Sequence, residues 1–259
     1  MSPLPATVPA IVRTRIRAAV HRPSRLARLS RQEAEDRSLV FRLLSLLLQY
    51  PDSELTLHRT ELTDRVRSLD PSSTAGHLAD FVTWFTSQDP QVLERHYVEV
   101  FDLRRKSSLY LTYYLHGDTR RRGMALLTLA NRYKAAGWDI DGGELPDHLP
   151  VVLEFAALAG PGAGEAPLRQ HRRGLDLIHR SLQAVDSPYH HLVAALLTLL
   201  PPPTEADEEA VAKLAAEGPP NEEVGLDPYG AYGHGEFAPP DAFVPPLPAP
   251  PTSRTKGLR

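Results

Sequence analysis

Apolar residues recur along this chain at helical spacing. "SLVFRLLSLLLQY", Ser38 to Tyr50, carries an apolar stripe, and Ser30 followed three residues later by Glu33 has the form of a capping box, so the pattern predicts a helix ending before Pro51. Leu78, Phe81, Val82 and Phe85 repeat at i, i+3, i+4 and i+7. Asp89 and Pro90 read as the N-cap and first residue of a helix whose apolar face is Leu93, Tyr97, Val100 and Phe101. Asp118 is placed to cap a helix over Thr119 to Ala136, which Gly137 stops. Asp147 is placed to open another along Leu149, Val152, Leu153 and Ala156, where Pro150 is harmless because first-turn N–H groups lack intrahelical partners. Leu168, Leu175, Ile178 and Leu182 mark one more, and Ser187 and Pro188 introduce a last one along Tyr189, Leu192, Val193 and Leu196. No alternating strand pattern, hairpin dipeptide between apolar runs, or solenoid repeat emerges. The expected fold is all-α: a single helical bundle domain of about seven to nine helices with flexible tails at both ends.

Proline and charge set the expected boundaries. Of the 25 prolines, 13 lie from Pro201 onward, and eight acids against one lysine fall between Glu205 and Asp227, so a short acidic helix, Glu205 to Ala216, is expected to be loosely attached. "VPPLPAPPT" near the end reads as polyproline II. Residues 1–32 hold seven arginines and no acid; that segment reads either as a disordered basic extension or as an arm steering toward a membrane surface or partner. The expectation is therefore a basic, disordered extension over 1–37, an all-helical domain over 38–200, and an acidic then proline-rich, mostly disordered tail over 201–259.

Bulk properties exclude more than they suggest. With 42% apolar residues among 259 the chain can bury a sizeable core, and a net charge of −3 gives no global reason to expect nucleic acid. There is no cysteine, which excludes disulfides, thiol nucleophiles and thiolate-ligated zinc or iron–sulfur centres held by this chain, and which suits a cytoplasmic setting. The longest apolar run, "HLVAALLTLLPPP", meets proline after nine residues, far short of a bilayer span, so no stable membrane insertion is expected.

Candidate chemistry is sparse. No phosphate loop, dinucleotide fingerprint, nucleophile elbow or zincin motif is present. "ELPDHLPVVLEF" gathers Glu144, Asp147, His148 and Glu154. These are the right elements for a metal, but as helix neighbours Asp147 and His148 would point about 100° apart. The other readings are an N-cap with a first-turn polar residue, and a recognition surface. "SSLYLTYYLHGDTRRRG", Ser107 to Gly123, is read as a short helix from Ser107 or Ser108, with Leu111 and Leu115 on one face and Tyr110, Tyr113 and Tyr114 around the other side. Arg120, Arg121 and Arg122 would then occupy the first turn of the next helix, the positive end of its dipole, where cations need other support. Salt bridges to Asp118, Glu144, Asp147 or Glu154 would supply it, as would a partner chain clamped by a polar rim.

"YVEVFDLRRKSSLYLTYYLHGDTRRRGMAL" followed by "YKAAGWDIDGGELPDHLPVVLEF" resembles the respiratory nitrate reductase delta-subunit family, the NarJ-type molybdenum cofactor assembly chaperones, and "RLLSLLLQYPD" is similar to the family's opening helix. The resemblance runs from about Leu39 to Ala159 and more weakly to Leu200. It implies an all-helical cytoplasmic chaperone, not an enzyme. It further implies a partner, the N-terminal leader of the apo nitrate reductase alpha subunit, held until molybdopterin guanine dinucleotide and an iron–sulfur cluster are inserted and membrane docking follows. The cofactors belong to that client, and none is expected here. The expected peptide-binding set is Tyr97, Phe101, Tyr110, Leu111, Tyr113, His116, Arg120, Arg122, Glu144, Asp147, His148 and Glu154, with Phe101, Tyr110, Leu111 and Tyr113 walling a groove and Arg120, Arg122, Asp147 and His148 at its charged edge. A generic peptide-binding or membrane-surface adaptor, using the basic arm and the proline-rich tail, is the alternative.

Overall fold

Helix formation follows local chemistry closely in the first half of the chain. Helix α1 (Arg31–Leu47) opens on the expected capping box: Glu33 N donates to Ser30 Oγ while Ser30 N donates to the Glu33 carboxylate at 2.7 Å. Its first two turns are polar, and Val40 to Leu47 is buried apart from Arg42. Short helices α2 (Ser53–Leu57) and α3 (Arg59–Arg67) follow, the first capped by Asp52. Ser72 caps α4 (Ser73–Ser87), which buries Leu78, Phe81, Val82 and Phe85, the predicted stripe. Helix α5 (Pro90–Tyr97) starts at the predicted proline, but then widens into a π-helical turn over Val98–Asp102. That extra residue per turn changes the direction in which Phe101 and Asp102 project, something no 3.6-residue pattern reports.

The computed structural model describes residues 16–18, 29–140 and 143–220. These all fall within one compact unit, Met1–Glu222. The remaining elements are α6 (Tyr113–His116), α7 (Arg120–Ala135), α8 (Leu149–Ala159), α9 (Ala166–Gln170), α10 (Arg172–Gln183), α11 (Tyr189–Thr198) and α12 (Glu205–Glu217). The all-α expectation holds; the described residues contain twelve α-helices, because several of four or five residues punctuate the long ones. One correction concerns strands. Ile16–Ala18 (β1) pairs antiparallel with Trp138–Ile140 (β2), with Arg17 opposite Asp139. Three residues are too few to display alternation, so the pairing left no trace in the pattern.

Packing is pairwise between long helices: α1 lies on α8, α4 on both α3 and α11, and α10 on α11 and α12. A continuous apolar core runs through them, with Phe41, Leu44, Leu47, Phe81, Phe85, Leu153, Phe155, Ile178, Leu192 and Leu196 at or near zero exposure. Tyr189 is the aromatic hub, with Phe81 at 5.0 Å, Phe101 at 4.9 Å and Tyr97 at 5.8 Å between ring centroids. Each such side chain contributes about 1.5–3 kcal/mol by leaving water.

The expected edges of the domain shift. Helix α1 begins at Arg31, so a boundary at 38 would cut it in two. Helix α12, expected to be loose, is seated: a Thr204–Asp207 capping box starts it, Val211 is buried, Arg173 Nε donates to Asp207 Oδ1 at 2.9 Å, and Lys106 Nζ donates to Ala215 O at 2.7 Å. The backbone then reaches Gly117, whose φ of +56° suits glycine and where an added Cβ would meet the carbonyl oxygen of Pro220. The arginine-rich stretches 1–15 and 19–28 and the "VPPLPAPPT" segment lie outside the described residues.

Several histidines are held neutral by the fold. Burial first, then the neighbouring charges of His190, His77 and Arg180, lowers the His179 imidazole to about 4, and burial likewise lowers His96 and His171. An unfolded chain takes up these protons from about pH 6.5 downward while the native chain resists, so stability is full above that pH and is lost toward the lower folded values. The urea midpoint should therefore fall between pH 7 and pH 5, and His179→Gln should reduce the slope; an unchanged midpoint over that range contradicts the assignment.

Candidate functional site

Two loops meet where the sequence is richest in polar chemistry. A 3-10 turn, Arg105–Ser107, follows the π-helical turn, and the chain then runs extended past Leu109 and Tyr110. It lies antiparallel to Asp147–Leu149: Leu111 N donates to Asp147 O at 3.0 Å, Leu149 N donates to Leu109 O at 2.8 Å, and Tyr110 and His148 form a β-bridge. Two tyrosine hydroxyls fasten the loops from beneath, Tyr114 to Ser108 O at 2.7 Å and Tyr133 to Pro146 O at 2.7 Å. Tyr114 also packs on Gly174 of α10, where a Cβ would come within 2.9 Å of its ring.

The Asp147 carboxylate ties this junction together. It is fully buried, and its Oδ2 accepts from Thr112 N at 3.1 Å and from Thr112 Oγ1. Arg122 Nη2 lies 3.7 Å from the same oxygen, and Arg122 Nη1 lies 3.4 Å from Asp118 Oδ1. Arginine at a helix N-terminus opposes the dipole; these two carboxylates offset that cost. The guanidinium also sits over the rings of Tyr110 and Tyr113, 5.7 and 6.0 Å from their centroids, a cation–π arrangement.

Above this junction opens a cleft of ≈ 180 Å³, walled by Phe101, Tyr110, Tyr113 and Ser108 and edged by Asp102, Arg104, Arg105, Asp118 and Arg122. Behind Tyr110, the His148 ring stands at 5.1 Å and its Nδ1 lies 3.2 Å from Glu144 Oε2. Burial, followed by the charges of Glu144, Asp147 and Asp102, pushes the Tyr110 phenol above its ordinary range, so it stays a hydrogen-bond donor at physiological pH. A second cleft, ≈ 370 Å³, uses the neighbouring face of α6 and α7 against the α9–α10 junction: Leu115, His116, Arg121, Met124, Thr128, Arg132, Gln170 and His171. Helix α7 is scarcely covered. Only Leu129 and Tyr133 are buried on it, while Met124 and Leu127 are 66% and 53% exposed.

The expected site residues thus divide. Phe101, Tyr110, Tyr113 and Arg122 line the first cleft, with His148 and Glu144 stacked behind. His116 lies in the second cleft and Arg120 is exposed in the first turn of α7. Leu111, expected on the wall, is fully buried, and Asp147, expected at the edge, is buried beneath it; neither offers surface to a partner. Tyr97 donates to Leu48 O at 3.1 Å inside the core, and Glu154 is buried in α8. Asp147 is not the cap of α8: the cap is His148, without a side-chain hydrogen bond, because Thr112 has taken the carboxylate. Nor is Asp118 the cap of α7, a position held by Thr119. The helix expected from Ser107 is confined to Tyr113–His116, since Tyr110 is committed to the bridge. Leu115, Arg121, Met124, Arg132, Gln170 and His171 are not in the expected set; periodicity does not say which apolar residues of α7 stay uncovered, and only the packing reveals them.

The fold and clefts define an all-α scaffold whose surface offers aromatic and apolar purchase with cationic edges, built where two loops are zipped together. A model of the nitrate reductase delta subunit family matches residues 68–195. The chain is 34% identical over 165 residues to the probable nitrate reductase molybdenum cofactor assembly chaperone NarJ of Bacillus subtilis, covering 64% of this chain and 90% of that protein. It is 33% identical over 177 residues to the NarJ chaperone of Escherichia coli K12, covering 68% and 74%. It is also 37% identical over 158 residues to the nitrate reductase-like protein NarX of Mycobacterium tuberculosis, covering 61% of this chain but 24% of that longer protein. The chain belongs to the nitrate reductase delta-subunit family of NarJ-type assembly chaperones.

Removing the buried anchor should be costly. Asp147→Ala leaves buried Thr112 without its acceptor and Arg122 without its buried carboxylate neighbour and is expected to destabilise the fold by about 3–5 kcal/mol, whereas Asp118→Ala, on an exposed carboxylate, should cost under about 1 kcal/mol. Chemical denaturation of both variants checks the contrast; equal midpoints would contradict it.

Proposed function

We propose that this protein is a dedicated chaperone of a respiratory nitrate reductase: it binds the N-terminal segment of the apo alpha subunit in the cytoplasm and holds it while molybdenum cofactor and an iron–sulfur cluster are inserted, before membrane assembly. Family membership supports the chaperone role, and the Bacillus subtilis and Escherichia coli relatives are named as assembly chaperones. Among the described residues no helix is long and apolar enough to cross a membrane. Since the chain has no cysteine, thiolate ligands for a cluster come from the client.

The observation that carries the reading is the uncovered strip on α6 and α7. Leu115 and Met124 line one cleft with Arg121 and Arg132, Leu127 is exposed three residues further along α7, and the tyrosine cleft shares the start of that helix through Arg122. Contiguous exposed apolar surface with a polar rim marks a docking site, and an amphipathic client helix laid on α7 would cover it. Methionine suits such a surface because its unbranched chain adapts to the partner. Three apolar anchors at about 2 kcal/mol each, less the cost of association, leave weak binding, so contacts at the rim must supply the remainder. A holder that must release its client has no use for a very tight grip.

Titration calorimetry with a peptide of the alpha subunit's N-terminal segment tests this. Leu115→Asp with Met124→Asp should weaken binding by roughly tenfold or more while leaving the melting temperature nearly unchanged, since both positions are exposed. Molybdenum content of the co-expressed reductase should fall in parallel. Undiminished peptide affinity in the double variant would overturn the assignment of the strip.

A further inference from the structure

Far from both clefts in sequence, the interface of α4 and α11 concentrates imidazole. His77 and Asp80, three residues apart, share one face of α4, and α11 packs across that helix. His191 of α11 faces them, its Nδ1 3.8 Å from Asp80 Oδ2 and its ring 5.8 Å from that of His77. One ligand atom from each of the three lies within 4.8 Å of the others. The Nδ1 of His191 is buried and makes no hydrogen bond. A polar nitrogen in that position is costly unless something satisfies it.

We propose that His77, Asp80 and His191 form a binding site for a divalent transition-metal ion, zinc being the reference case. Tetrahedral zinc holds nitrogen and carboxylate oxygen at about 2.0–2.2 Å, which sets ligand atoms roughly 3.3–3.5 Å apart. Closing the present spacing to that figure asks for rotations of about 1 Å at the ligand atoms, and Asp80, with its side chain 64% exposed, has room to make them. Two imidazoles and one carboxylate select zinc, cobalt, nickel or copper over magnesium and calcium, which take oxygen sets. Three protein ligands leave a fourth position for water. Around the site, the His190 ring lies 4.0 Å from that of His191 and its Nδ1 is engaged by Ser187 O at 2.9 Å, a supporting layer that restrains the His191 ring. A plain Asp80–His191 ion pair at 3.8 Å on a half-exposed surface contributes little and leaves the position of His77 unexplained. The bound ion ties α4 to α11 across the Thr74–Thr198 hydroxyl contact and the Phe81–Tyr189 ring pair. This site stands independently of client binding.

The test is titration of the full, chelator-treated chain with Zn²⁺, followed by calorimetry and thermal melting. One saturable site per chain is expected, with a melting temperature raised by roughly 5–10 °C at free zinc a hundredfold above the dissociation constant. Co²⁺ should give the visible absorption of a tetrahedral centre, and Mg²⁺ should give no shift. Asp80→Asn and His77→Gln, both outside the core, should each weaken zinc roughly tenfold or more, while His58→Gln, an exposed histidine elsewhere, should leave it unchanged. Absence of saturable binding, or binding and thermal shift that persist equally in Asp80→Asn and His77→Gln, overturns the proposal.

Discussion

A single carboxylate with no exposure decides how the paired loops beneath the tyrosine cleft are built. A carboxylate taken from water needs fixed donors, and Oδ2 of Asp147 finds them in the backbone and hydroxyl of Thr112, with the Arg122 guanidinium close by. Those contacts fix the register of two loops, because a one-residue slip would carry Thr112 away from the carboxylate and break the Leu111–Asp147 and Leu149–Leu109 hydrogen bonds. From that register follow the half-buried placement of Tyr110, the stacking of His148 behind it, and the orientation of Arg122 over two aromatic rings. The cleft is thus a by-product of satisfying a buried charge.

What the chain's local chemistry made legible, and what it did not, separates by distance along the sequence. The capping box of α1, the apolar face of α4, the proline start of α5 and the Ser187–Pro188 opening of α11 all rest on residues within one or two turns of each other. The likeness to the delta-subunit family was equally visible, since the two motifs that carry it are contiguous strings. The role of Asp147 was not, because its partner Thr112 sits 35 positions earlier, and an acid before a Leu-Pro apolar run is locally indistinguishable from a cap. Leu111 and Leu115 illustrate the same limit: both are leucines in a polar stretch, yet one ends in the core and the other on the rim. Periodicity assigns a face, but only tertiary packing says whether anything covers it.

The two clefts differ in kind. The tyrosine cleft is small, preorganised by hydrogen bonds and rich in directional groups, which favours discrimination between sequences. The α7 strip is larger and apolar and includes an adaptable methionine, which favours grip. Under the proposed function, selectivity and affinity need not reside in the same contacts.

The junction at Gly117 constrains anyone who modifies this chain. Its neighbours His116 and Asp118 border the two clefts, and Pro220 rests against it. The close of α12 therefore lies against the turn that separates the two clefts. Any side chain introduced at Gly117 would push Pro220 aside and so disturb the borders of both clefts at once.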